Sequence, residues 1–173
     1  AVVGSNVFVI ETLGKTVEVK PFSDECSMLN NVPIVDALAK WDNPFTGESH
    51  ILMFKNALYV ESMTHNLIPP FLMREAGVIV NDVPKIHVKD PQIEDHSVYF
   101  SDEEVKIPMS LDGIFSYFPT SKPTEQDIEE CDEILMLTPT GSWDPHAETY
   151  ARNEDAMLDH EGNMVDKKKR IQI

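Results

Sequence analysis

Asn56 to Gly77 reads NALYVESMTHNLIPPFLMREAG, and three kinds of local structure follow one another in it without a spacer. Ala57 to Val60 is apolar and aromatic, as in a strand. Ser62 to Asn66 is a polar corner, followed by the apolar pair Leu67-Ile68 and a Pro-Pro step. Pro70 suits the first turn of a helix, where its missing N–H is not needed. Phe71 to Ala76 can continue that helix, and Gly77 can close it in the left-handed conformation. The stretch therefore predicts a strand, a pinned corner and a short helix in immediate succession. Leu67 and Ile68 are expected to be buried together.

Upstream, Val7–Ile10 and Thr16–Val19 are short β-rich runs. Leu13-Gly14-Lys15 between them reads as a hairpin turn. Ser23 to Asn31 is a polar loop, and Val32 to Trp41 is strand-like. Asp42 to Gly47 is dense in turn formers, and Ile51 to Val60 is the longest strand candidate. Downstream, Val78–Val80, His96–Phe100, Val105–Met109 and Ile114–Phe118 keep the β pattern, with Asp112-Gly113 as a hairpin signal. Composition shifts at Pro119. Thr124 then precedes Glu125-Gln126-Asp127, a helix start with acids in its first turn. Trp143 to His146 reads as a loop, and Ala147 to Leu158 as one further helix. The expectation is a mainly β protein.

The chain has 173 residues, 42% of them hydrophobic and 25% charged, so a packed core is expected and global disorder is not. The net charge of −16 is a poor match for a nucleic-acid backbone, whose binding needs clustered Lys and Arg. The basic run Lys167 to Arg170 is read as a solvated end. Cys26 and Cys131 form no CxxC pair, which suits free thiols and an intracellular compartment. No stretch approaches the ~18 apolar residues of a membrane-spanning helix. Ala in the first position leads to the expectation of a longer parent chain.

The six histidines show no HExxH or other metal spacing, and there is no GxGxxG, GxxxxGK[ST] or GxSxG. No metal and no cofactor is assigned. Carboxylates are many, but acid–base work needs two of them held together in a shielded cleft. The acids of Glu125 to Glu133 read as a solvated run.

Residues 56–80 resemble the end of the retropepsin-like protease in Pol polyproteins of copia-type LTR retrotransposons. Leu58-Tyr59-Val60, His65-Asn66-Leu67-Ile68, Arg74 and Ala76-Gly77 match that family's pattern, while Pro69 and Pro70 depart from it. Ala1-Val2-Val3-Gly4 resembles the end of the family's catalytic loop. Asn31 to Val60 resembles a flap hairpin and the strand after it. Ser110 to Cys131 and Trp143 to Leu158 resemble the linker toward integrase. The resemblance implies a closed retropepsin-like sheet with one short helix over residues 1–85, a β-rich extension over 86–120, and a partly helical acidic tail over 121–173.

It also implies peptide hydrolysis during polyprotein maturation, in the cytoplasm or in virus-like particles. One aspartate from each subunit of a homodimer would share a proton with its mate. Val2, Val3, Gly4, Asn66, Leu67 and Ile68 would support the active-site loop, and Trp41, Phe45, Thr46 and Gly47 would form the flap over a polyprotein peptide. No Asp-Ser-Gly or Asp-Thr-Gly occurs in the chain, so no catalytic residue is assigned within it and the chain alone is expected to be inert. The rival expectation is a non-catalytic interaction or assembly module, or a decayed transposon remnant, whose acidic face meets a basic partner. Neither nucleic acid nor a membrane is expected as a partner.

Overall fold

The structure is a computed structural model that describes residues 1–20, 23–141 and 147–165. It divides into two compact units, Ala1–Gly141 and Ser142–Ile173. In chain order the first unit holds β1 (Val2–Val3), β2 (Phe8–Val19), β3 (Leu29–Asp42), β4 (Ser49–Tyr59), α1 (Pro70–Glu75), β5 (Ile79–Asp82), β6 (His96–Phe100), β7 (Val105–Pro108), β8 (Ser110–Asp112), β9 (Phe115–Tyr117), α2 (Glu125–Glu130) and β10 (Ile134–Met136). The second unit holds α3 (Thr149–Asp155), inside the helix expected over Ala147–Leu158. The loop read at Trp143–His146 and the basic run at Lys167–Arg170 lie outside the described residues.

The protein is mainly β. The largest sheet runs β1-β4-β3-β2, with β10 also on β4. A second sheet runs β5-β6-β7, and β8 and β9 form a separate hairpin. Alternation along β3 sends Val35, Ala37, Ala39 and Trp41 to one face. There they join Leu52, Phe54 and Ala57 of β4, Met73 of α1, Val80, Val98 and Ile107 of the second sheet, and Leu135 and Leu137 around β10. Both sheets and α1 thus close on one core. That core crosses the boundary expected near residue 85, and the compact unit extends to Gly141.

Two elements differ from the sequence reading. The hairpin expected around Leu13-Gly14-Lys15 is instead one strand, β2, paired with β3 from Phe8↔Leu38 to Val19↔Leu29. Its register shifts between Thr12 and Thr16, and Gly14 sits inside that shift with φ +71°. Two four-residue strands would make a marginal ribbon on their own, whereas β3 offers a long apolar partner. The glycine therefore marks a bulge rather than a turn.

The second difference lies beyond Pro119. Thr124 does cap α2, accepting from the Asp127 N–H at 3.1 Å while Asp127 accepts from the Thr124 N–H. But the chain then returns to the large sheet as β10, parallel to Ile51–Met53 of β4. The buried carboxylate Asp36 and a bulge in β4 receive it. Asp36 accepts from Lys55 Nζ at 3.0 Å and from the Asn56 N–H at 3.0 Å, and Asn56 takes φ +53°. Beside them the Lys55 N–H donates to Thr138 Oγ1 at 2.8 Å, and Asn56 Nδ2 donates to the Gly141 carbonyl at 2.7 Å.

Candidate functional site

The corner predicted from Ser62 to Asn66 builds a slot that holds residues 1–5. On one side β1 lies parallel to the end of β4, Val2 opposite Leu58 and Val3 opposite Tyr59. The Leu58 N–H donates to the Ala1 carbonyl at 3.0 Å, and the Val60 N–H to the Val3 carbonyl at 2.9 Å. On the other side Val2 pairs antiparallel with Leu67, through N–H···O bonds of 2.9 and 2.8 Å. The corner itself supplies two more acceptors. Asn66 Oδ1 accepts from the Gly4 N–H at 2.9 Å, and the Met63 carbonyl accepts from the Ser5 N–H at 2.9 Å.

Gly4 is required here by close approach. A Cβ at that position would stand 2.3 Å from the Met63 carbonyl oxygen. Strand, corner and incoming segment are therefore fitted backbone to backbone.

Behind the corner, α1 begins with Pro70 at its first turn, as expected. It ends in a Schellman cap: the Gly77 N–H bonds to the Arg74 carbonyl and the Val78 N–H to the Met73 carbonyl, each at 3.0 Å, with Gly77 at φ +85°. Met73 is buried, and Arg74 donates to the Val80 carbonyl at 3.0 Å, fixing helix to second sheet.

Val2, Val3, Gly4, Asn66 and Leu67 are thus brought together. The expected burial of Leu67 with Ile68 is not observed. Ile68 packs against the core, but Leu67 is 53% exposed. The bridge to Val2 holds this segment extended, and consecutive side chains of an extended segment point to opposite faces. Leu67 contributes its main chain to the slot, not its side chain.

Trp41, Phe45, Thr46 and Gly47 are not gathered with these residues. Val2 lies in the row of Leu58 and Ile34. Trp41 stands seven residues farther along β3, which is roughly 24 Å of strand. Its side chain is buried and stacked on His50, ring centres 5.6 Å apart, so it is not presented to a peptide. Phe45, at 68% exposure, and Thr46 and Gly47 form the accessible tip. Asn43 organises that tip: its Oδ1 accepts from the Phe45 N–H and its carbonyl from the Gly47 N–H.

Two further groups of charged side chains have structural partners. Both Asp36 oxygens are engaged at the β4 bulge. Lys40 reaches Asp127 at 3.1 Å. The hydrogen bond to Asp127 holds the Lys40 ammonium above its ordinary value. The Thr124 N–H, followed by Lys40, holds the Asp127 carboxyl below its own. Among the described residues no group of three His, Cys, Asp or Glu could hold a metal ion. Both cysteines are free, and no described helix is long and apolar enough to cross a membrane. Sequence reasoning missed Met63 and Asp36, which act through partners 58 and 20 residues away. No local pattern signals such a pairing.

Compared with known proteins, the chain matches no family model, and no curated protein and no solved structure is significantly similar to it.

Proposed function

We propose that this chain is the part of a retropepsin-like protease region, of the copia-type retrotransposon kind, that holds the active-site loop in place. The observation that carries this reading is the slot: Val2–Gly4 threaded between the end of β4 and the Met63–Leu67 corner, with α1 directly behind. A loop bearing a catalytic carboxylate needs such a support, because a displacement of about 1 Å at a reacting group can cost on the order of a hundredfold in rate. Here five main-chain hydrogen bonds, a sixth bond from the Gly4 N–H to the Asn66 side chain, and the contact at Gly4 fix the segment that would follow that loop.

In this reading the reaction is hydrolysis of polyprotein peptide bonds by a homodimer, inside the cell or in virus-like particles. Each subunit would give one carboxylate to a proton-sharing pair. The residues of this chain act as positioning groups. Asn66 and the Met63 carbonyl orient the segment, and Ile68 and Met73 back it with packed apolar surface. The covering role is not carried over to Trp41, whose ring is buried.

The test is a longer chain that includes the natural sequence upstream of Ala1, incubated with a fragment of the same polyprotein between pH 4 and 7. Pepstatin-sensitive cleavage that rises steeply with protein concentration is the expected result. An upstream sequence without an in-frame Asp-Ser-Gly or Asp-Thr-Gly would remove the reading, as would an inactive chain that has one.

A further inference from the structure

The β8–β9 hairpin stands apart from both larger sheets, yet a buried imidazole is bonded to it. Residues 110–117 are all exposed, with Ile114 at 88%. Their flanks are anchored: Met109 is buried, its N–H donating to the His96 carbonyl at 2.8 Å, and Phe118 packs against the core. Between these anchors Ser116 Oγ is hydrogen-bonded to His96 Nε2 at 2.7 Å. His96 opens β6 and is almost wholly buried. A polar side chain of an exposed hairpin thus meets a buried titratable ring of the sheet beneath.

We propose that His96 is a pH-gated latch for the β8–β9 hairpin: the neutral ring holds Ser116 in the closed arrangement, and uptake of a proton favours an opened hairpin in which the ring is hydrated. The physical basis is desolvation. A buried imidazolium is disfavoured against one in water, and its nearest charges do not compensate. Burial, then Lys85, push the His96 ring below its ordinary value, while Asp82 opposes them weakly.

The charged groups around the ring come from every neighbouring element. Asp82 of β5 lies opposite His96 in the strand register but also pairs with Arg74 at 3.7 Å. Lys85 belongs to the short turn of helix Lys85–His87. Glu94 and Asp95 precede the ring; Glu94 is paired with Lys106 of β7, and Asp95 accepts from the Gln92 N–H. The hairpin contributes Asp112 at its far end, next to the turn. Three of the four acids thus have partners of their own. The Ser116 contact survives in either charge state, since a protonated ring can still donate, so the gate acts through hydration of the ring. Met109 and Phe118 remain as hinges.

The experiment is hydrogen exchange on the full chain between pH 7.5 and 5, corrected for the intrinsic pH dependence of amide exchange. Residues 34–41 of β3 serve as the internal reference. Opening of residues 110–117 is expected to increase as the pH falls, by up to about tenfold for each unit by which the closed-state ring is depressed. The reference should not change. Ser116→Ala should open the hairpin already at pH 7.5, and His96→Gln should abolish the pH dependence. If His96→Gln does not fold, the ring's own titration followed by NMR replaces it: it should fall below the ordinary value in the native chain and move up toward it in Ser116→Ala. A hairpin whose opening is independent of pH in the native chain, or a pH dependence that persists in His96→Gln, would overturn the latch.

Discussion

Gly4 and the pair Leu67-Ile68 show how differently single residues serve the same slot. At Gly4 the constraint is contact, not backbone conformation: a methyl group would overlap the Met63 carbonyl. Gly4→Ala must push the corner away from β1 and disturb the bonds from Ser5 to Met63 and from Gly4 to Asn66. The expected cost is about 1–3 kcal/mol, as for overpacking in a fitted interior, read from urea midpoints. A midpoint unchanged in Gly4→Ala would mean that the close approach is not there. At the apolar pair the effects should separate. Leu67→Ala should stay within about 0.5 kcal/mol, as exposed positions do. Ile68→Ala should cost roughly 1–2 kcal/mol, less than the 2–5 kcal/mol of a fully buried site, because Ile68 is only partly enclosed. Equal losses at both positions would contradict the opposed orientation of the two side chains. The sequence showed that an apolar pair follows the corner. It did not show that the pair lies in an extended bridge, which depends on a partner 65 residues earlier.

At the scale of elements, legibility follows locality. The helix α1 with its proline start and glycine cap, the tip at Asn43–Gly47 and the Thr124 cap were all readable, because their causes lie within a few residues. The continuous β2 and the strand β10 were not, because each is defined by a distant partner that pays no attention to sequence spacing. Thr138 is the residue through which β10 is held at the β4 bulge, accepting from the Lys55 N–H and donating to the Lys55 carbonyl at 3.2 Å. Thr138→Val keeps the volume but removes the acceptor of the partly buried Lys55 N–H, so a loss of about 1–3 kcal/mol is expected in denaturant melts. A second element-scale effect concerns α2, tied to β3 through Asp127 and Lys40. Since the folded carboxyl is depressed, its contribution is fully present above the ordinary carboxylate range. It is lost as the pH falls through the lower folded value. Thermal melts taken from pH 6 down to pH 2 should therefore fall less steeply in Asp127→Asn than in the native chain. Parallel curves would show that the ionised carboxylate, through its cap on the Thr124 N–H and its pair with Lys40, contributes nothing to folding.

For the whole molecule, the question is how much chain one core requires. A retropepsin-like unit ending near residue 85 would leave Val98, Phe100, Ile107, Leu135 and Leu137 outside it, yet these are buried in the same cluster as Val3, Phe54 and Met73. The second sheet and β10 are therefore structural parts of the unit that contains the slot. Leu135 and Leu137 are each almost fully buried, and losing a side chain of that kind costs on the order of 2–5 kcal/mol. Removing both, together with the bonds of Leu137 to the Met53 carbonyl and of Thr138 to Lys55, approaches the whole 5–15 kcal/mol stability of a typical domain. The described residues of the second unit include none that is buried, so they contribute little to any core. The expected outcome is a sharp asymmetry between two truncations. A chain of residues 1–141 should melt cooperatively within a few degrees of the full chain. A chain of residues 1–132, only nine residues shorter, should lose its cooperative transition and its dispersed amide spectrum. Retained folding in the shorter chain would mean that β10 is a strap laid on a finished unit, and that the slot around Val2–Gly4 stands without it.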